Sequence, residues 1–288
     1  MDELIAEAGN NPITPTFYPP PDYVCTEAYG EFIREYRSHV DFFFFIVNLA
    51  TTADKTRIAA AQALAIVSDD PAHQERYAKH AAAPDSTFQA LRRFSTVASQ
   101  NLTNGIVNAF QRYFSSLIQS VALKCPQVMT SSKDQVRVDE ILRFTRHRDL
   151  VNYIIDRKIN SLSYGGLDEL DRYFDDRLNI KMFHNDRQKL LLRLFVEARN
   201  INVHNRGRVN DIFVQRVGEV EGFPYKEGRV FHIDLDELIA LSENAMAVAQ
   251  AIDASVGLKY DLRRKAISSW HRSKGDKSPS ASSESAIK

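Results

Sequence analysis

The chain has 288 residues, 44% hydrophobic and 26% charged, and its 37 Lys and Arg balance 37 Asp and Glu. This is the composition of a soluble globular protein with a sizeable core, and its neutrality gives no whole-chain argument for a nucleic-acid partner. The two cysteines, Cys25 and Cys125, do not make a disulfide framework, and no Cys/His cluster has zinc spacing, so neither a metal nor another cofactor is expected.

The opening residues Asp2, Glu3 and Glu7 reverse the basic start of a signal peptide. Residues 1–25, with Pro19-Pro20-Pro21, predict an extended Pro-rich arm. Residues 26–95 predict an N-terminal helical region. One helix runs through Phe32, Tyr36 and the Phe42–Phe45 cluster, and a second covers the alanine-rich stretch from Lys55 to Val67. The four adjacent phenylalanines predict a core position. The apolar run around them is far shorter than the roughly 20 residues that span a bilayer, so a cytoplasmic protein that avoids membranes is expected. Asp69-Asp70-Pro71 and Pro84-Asp85-Ser86 are helix openings; the second starts a long pattern with a break expected near Asn104-Gly105 and a stop at Cys125-Pro126.

Further on, Arg137 to Tyr164 predicts one or two helices and Ser163-Tyr164-Gly165-Gly166 a turn. An amphipathic helix follows from Leu167 to Leu178, then another capped by Asn185-Asp186. Ile212-Phe213-Val214 and Val230-Phe231-His232-Ile233 flank a glycine-bounded loop and predict one small β-hairpin. Leu235 to Val256 is a last amphipathic helix. Residues 259–288 carry eight Lys/Arg against three acids and predict a basic tail, disordered beyond about Arg272. The fold class is all-α.

Chemistry concentrates between Arg193 and Asn210. At 100° per residue, Leu191, Leu194, Phe195, Ala198 and Asn202 share one helix face, while Arg193, Glu197, Asn200 and His204 share the opposite one. Val196 and Val203 flank the polar stripe, which predicts that this second face also meets something. Gly207 follows as a natural helix stop. Arg, Asn and His suit RNA cleavage by its own 2′-hydroxyl. Imidazole takes the proton near neutral pH, a guanidinium matches the phosphate, and an amide orients the scissile group. Arg199 and His204, five residues apart, lie about 140° apart around a straight helix. They converge only if Arg199 bends round or a second copy of the helix faces the first. The spacing by itself is weak, because Arg34 and His39 repeat it.

The run Glu197-Ala-Arg-Asn-Ile-Asn-Val-His-Asn-Arg-Gly207 resembles the signature of HEPN domains: Arg, a polar residue, three residues, then His. The preceding Leu162-Ser-Tyr-Gly-Gly-Leu, Tyr173-Phe174 and Leu178-Asn179-Ile180 are similar to the linker and third helix of bacterial HEPN-like proteins, and Phe110 to Leu123 resembles their first core helix. The likeness spans residues 96–258. It implies a HEPN-like bundle of four to five helices, dimerising through the motif helix. It also implies a metal-independent endoribonuclease of bacterial defence or stress response, with Arg199 and His204 as catalytic pair and Asn200 as the polar residue after the arginine. RNA is the implied substrate, and the family context leaves room for an antitoxin or defence-system partner.

Asn205, Arg206 and Arg208 offer phosphate contacts beside the motif, although such a loop is also an ordinary solvated one. Arg143, Arg146, His147 and Arg148 are interleaved with acids and predict a salt-bridged face. His184 and His232 predict structural roles. The competing reading is a non-catalytic HEPN dimer that binds a nucleotide or a protein. A DNA-binding regulator has little support, since no helix-turn-helix with a basic recognition helix occurs.

Overall fold

The computed structural model describes residues 18–83, 86–129 and 137–270, the side chains of 163 and 164 excepted. Residues 1–17 of the arm expected over 1–25, the Pro84-Asp85 opening and residues 271–288 of the tail expected over 259–288 lie outside them. The fold is all-α. Its helices are α1 (Glu27–Val67), α2 (Pro71–Ala82), α3 (Ser86–Arg92), α4 (Ser95–Lys124), α5 (Val138–Ile141), α6 (His147–Leu178), α7 (Asp186–His204), α8 (Asp211–Val217), α9 (Leu235–Lys259) and α10 (Ile267–Trp270).

The small β element joins the two ends of the described chain. Strand β1 (Val24–Thr26) pairs antiparallel with β2 (Arg264–Ala266), Val24 opposite Ala266. The expected hairpin does not form at its predicted place. Asn210 accepts the Phe213 amide and caps α8, so Ile212-Phe213-Val214 is helical, and Val230 makes only an isolated bridge to Arg208. A side-chain cap and an acidic first turn override the β preference of three residues.

Helix α1 is one unbroken element of 41 residues where two helices were expected. The threonines at the expected junction do not break it: Thr51, before the second expected helix, and Thr56, in its first turn, turn their hydroxyls back to the carbonyls of Val47 and Thr52. Its phenylalanine cluster is not uniformly core: Phe44 is 8% exposed, but Phe42 and Phe45 are 65% and 62% exposed. Neighbouring residues are 100° apart, and α1 buries the sides that meet α4, α2 and α3 while Phe42 and Phe45 fall on the side left open.

Helix α4 runs straight through the break expected at Asn104-Gly105. Gly105 serves a close crossing instead, since a Cβ there would lie 2.7 Å from the His39 ring of α1. The real interruption falls at residues 93–94, between α3 and α4. The turn expected at residues 163–166 is a kink inside α6, with Gly166 at φ 76°.

Helices α4, α7 and α9 build the core, with Phe114, Leu117, Phe195, Leu194, Leu241, Ala245 and Val248 all fully or nearly buried. Asp253 of α9 fastens the N-terminal strand: its buried carboxylate accepts the amide and hydroxyl of Thr26, the cap of α1. Both cysteines are free, Cys25 buried and Cys125 partly so. Among the described residues no helix is long and apolar enough to cross a membrane.

Candidate functional site

Helix α7 is set up locally by its sequence. Asn185 caps it through the Gln188 amide, Asp186 suits the positive first turn, and His204 closes the last turn. The exit is a tight reversal. Arg206 and Gly207 both adopt left-handed backbone, φ 53° and 74°, and the Gly207 amide reaches back to the Ile201 carbonyl. The left-handed residue expected at the helix stop is therefore shared between Gly207 and an arginine, for which that conformation is costly.

Arg199 turns toward α4. Its Nε donates to Oδ1 of Asn108 at 2.9 Å, and Nη1 donates to Oδ1 of Asn200 at 3.3 Å. The Asn200 amide donates in turn to Oε2 of Glu197 at 3.2 Å, and Glu197 takes Nη1 of Arg216 at 3.0 Å on its other oxygen. A chain of polar contacts thus runs from α8 through α7 to α4. Its one carboxylate, 8% exposed, is paired with Arg216 rather than Arg199. Among the described residues Arg199 has no ion-pair partner: a partly buried cation is held in place by two neutral amide oxygens. One turn on, Asn202 donates to Oδ1 of Asn104 at 3.4 Å.

His204 is exposed at the end of α7, with no hydrogen bond or ion pair among the described residues. Within one chain Arg199 and His204 are not joined by any contact, in keeping with their angular separation along the helix. The second face of α7 is met in part by the chain itself. Val196 and Glu197 are buried, Arg216 comes from α8, and Arg193 is drawn to Asp168 of α6. What remains open near the motif is Val203, 50% exposed, and His204.

The three residues offered for phosphate contact differ. The Asn205 side chain donates to the Arg208 carbonyl at 2.7 Å, and Arg208 donates to the Gly228 carbonyl at 3.1 Å, so both also hold the loop together. Arg206 projects as an exposed cation with no partner among the described residues. His232 pairs with Asp234 at 3.0 Å.

Sequence reasoning missed Asn108, Asn104 and Arg216. The signal was present in α4, where Asn104, Asn108, Gln111 and Ser115 recur at helical spacing beside the apolar face of Ile106, Phe110 and Leu117. Asn108 and Asn104 meet α7 at Arg199 and Asn202. Comparison with family models, curated proteins and solved structures finds no match to this chain.

Proposed function

We propose that the chain is a HEPN-type endoribonuclease in which Arg199, Asn200 and His204 act on RNA without a metal. The observation that carries this reading is the state of Arg199. A guanidinium that is half-buried, positioned by Asn108 and Asn200, and free of any carboxylate partner among the described residues is prepared for an anion. Phosphate is the anion its fork of donors matches.

In the reaction His204 takes the proton of a 2′-hydroxyl, the 2′ oxygen bonds to the adjacent phosphorus, and the bond from phosphorus to the 5′ oxygen breaks. Arg199 stabilises the charge that builds on the non-bridging oxygens. The leaving 5′ oxygen takes a proton, and the products are a 2′,3′-cyclic phosphate and a 5′-hydroxyl end. Because Arg199 and His204 point apart in one chain, the site is completed by a homodimer. There a second copy of α7 brings its His204 to Arg199 of the first, over the face that exposes Val203. Bacterial defence or stress control, with a neutralising partner, is the setting that the motif suggests. Arg206 supports RNA binding from the loop, and Asn205 and Arg208 do so through the same segment.

The test is incubation of the purified chain with labelled RNAs in excess EDTA, beside Arg199→Ala and His204→Ala. Cyclic phosphate ends that vanish in both variants, with fold and dimer intact, support the reading. Cleavage that survives either substitution overturns it. The non-catalytic dimeric adaptor is favoured by one observation, the separation of Arg199 from His204 within a chain, and an intact dimer that cleaves no RNA would bear that out.

A further inference from the structure

The seam between α4 and α7 changes character along its length. At Asn104, Asn108, Arg199 and Asn202 it is polar; one turn further along both helices it opens into an apolar cavity. Phe110 and Phe114 of α4, Leu167 and Leu170 of α6, and Val196 of α7 wall it, with Gln111 at its edge. The cavity is about 50 Å³. Gly166, where α6 kinks, also lines it: the residue adopts φ 76°, and nothing lies within 4 Å of where a Cβ would stand.

This slot adjoins the proposed phosphate site through two helices at once. Val196 precedes Asn200 by four residues and Gln111 follows Asn108 by three, so each is the next residue on the same helical face. Gln111 is half-buried, and its amide has no partner among the described residues. It therefore presents a donor and an acceptor side by side at the mouth of an apolar slot. Ser115, one turn deeper, gives its proton to the Gln111 carbonyl at 3.1 Å and keeps its lone pairs.

We infer that the slot takes the nucleobase of the nucleotide whose phosphate rests on Arg199, and that it selects a single-ring base. This rests on the ribonuclease reading and adds a substrate preference to it. Three properties converge on that occupant. It is flat and apolar on its faces, as the aromatic and aliphatic walls require. Its edge carries a donor beside an acceptor, which a glutamine amide answers. Its size fits, because a site that holds water at about 10–15 Å³ per molecule has room here for about four, and four waters occupy about 120 Å³ of liquid. That is the scale of one heteroaromatic ring. RNA-cleaving proteins read sequence from single-stranded, unstacked bases, and a slot one residue step from the phosphate is where such a base would fall.

The experiment is titration of the full chain, by calorimetry and NMR, with inorganic phosphate, ribose 5-phosphate and the 3′-monophosphates of uridine, cytidine and guanosine. The wild type is compared with Gln111→Leu and Arg199→Ala. Uridine and cytidine monophosphates should bind at least tenfold tighter than ribose 5-phosphate and than the guanosine compound. Gln111→Leu should remove that gain while leaving phosphate binding unchanged, and Arg199→Ala should weaken every ligand. Phosphate binding that depends on Arg199 with no gain from any base overturns the base slot and leaves the ribonuclease reading standing. A gain that survives Gln111→Leu, or is larger for guanosine, also overturns the slot. Phosphate binding indifferent to Arg199 overturns both.

Discussion

Arg199 and Asn108 lie 91 residues apart in sequence and meet across α7 and α4 in a 2.9 Å hydrogen bond, guanidinium to amide oxygen, with no carboxylate in the contact. Neutrality at Asn108 is what leaves the cation available. Asn108→Asp should therefore preserve or raise thermal stability, by supplying an ion pair, while lowering RNA cleavage about 10- to 100-fold. Asn108→Ala, which removes only the tether, should cost less. Single-turnover cleavage beside a thermal melt separates the two. An aspartate variant with full activity would show that Arg199 does not meet phosphate.

Glu197 joins Asn200 to Arg216. Removing Arg216 leaves a largely buried carboxylate with the Asn200 amide as its remaining donor, so Arg216→Ala should destabilise by about 1–2 kcal/mol in urea unfolding. Arg216→Ala together with Glu197→Gln should recover part of that loss, because the neutral amide needs no cation. If the double variant is as unstable as the sum of the singles, the pair is not coupled.

Two buried carboxylates have opposite pH signatures. Burial works against the charge of Asp54, but the Thr87 and Phe88 amides, with the Thr87 and Ser86 hydroxyls, outweigh it and hold the carboxyl down at about 2. Its stabilisation is present above the unfolded value near 4 and is lost as pH falls toward 2. Burial raises Asp253 above its usual range, and the Thr26 donors and Arg264 only partly offset this. Its contribution is present below about pH 4 and is lost as pH rises through the raised value. Urea midpoints from pH 2.5 to 7 should show Asp54→Asn flattening the acid limb. The advantage of wild type over Asp253→Asn should shrink as pH climbs from 4. A constant difference in either comparison would contradict the assignment.

Arg206 combines a left-handed backbone with an exposed cation. An L residue there costs about 1–2 kcal/mol, so Arg206→Gly should leave stability unchanged or raise it by up to about 1 kcal/mol. If the side chain meets phosphate, the same variant should reduce the salt slope of RNA binding by about one, measured by titration at several potassium chloride concentrations. An unchanged slope would remove Arg206 from the interface.

The phenylalanine cluster on α1 separates by exposure. Phe44→Ala should cost about 3–5 kcal/mol, whereas Phe42→Ser and Phe45→Ser should stay within about 0.5 kcal/mol of wild type in urea. Comparable losses at all three positions would mean that α1 is covered on its outer face as well.

Caps and periodicity were legible in the residues. Asp70 and Asn185 open α2 and α7 where their side chains predict, because a cap is a contact over two or three residues. The β-like runs at 212–214 and 230–233 misled because propensity is weak against a cap at Asn210. Gly105 was read as a break when it permits a helix crossing, and no local pattern distinguishes the two uses of glycine.

The sequence by itself determined the helical class, the polar face of α7 and the placing of Arg199, Asn200 and His204 along one helix, since these depend on a period of 3.6 residues and short-range caps. Only the tertiary structure decided that Arg199 turns to Asn108, that Glu197 is spoken for by Arg216, and that the kink at Gly166 borders an apolar slot beside them. Those relations join residues far apart in the chain. They follow from which helices pack together, which the pattern along any single helix does not specify.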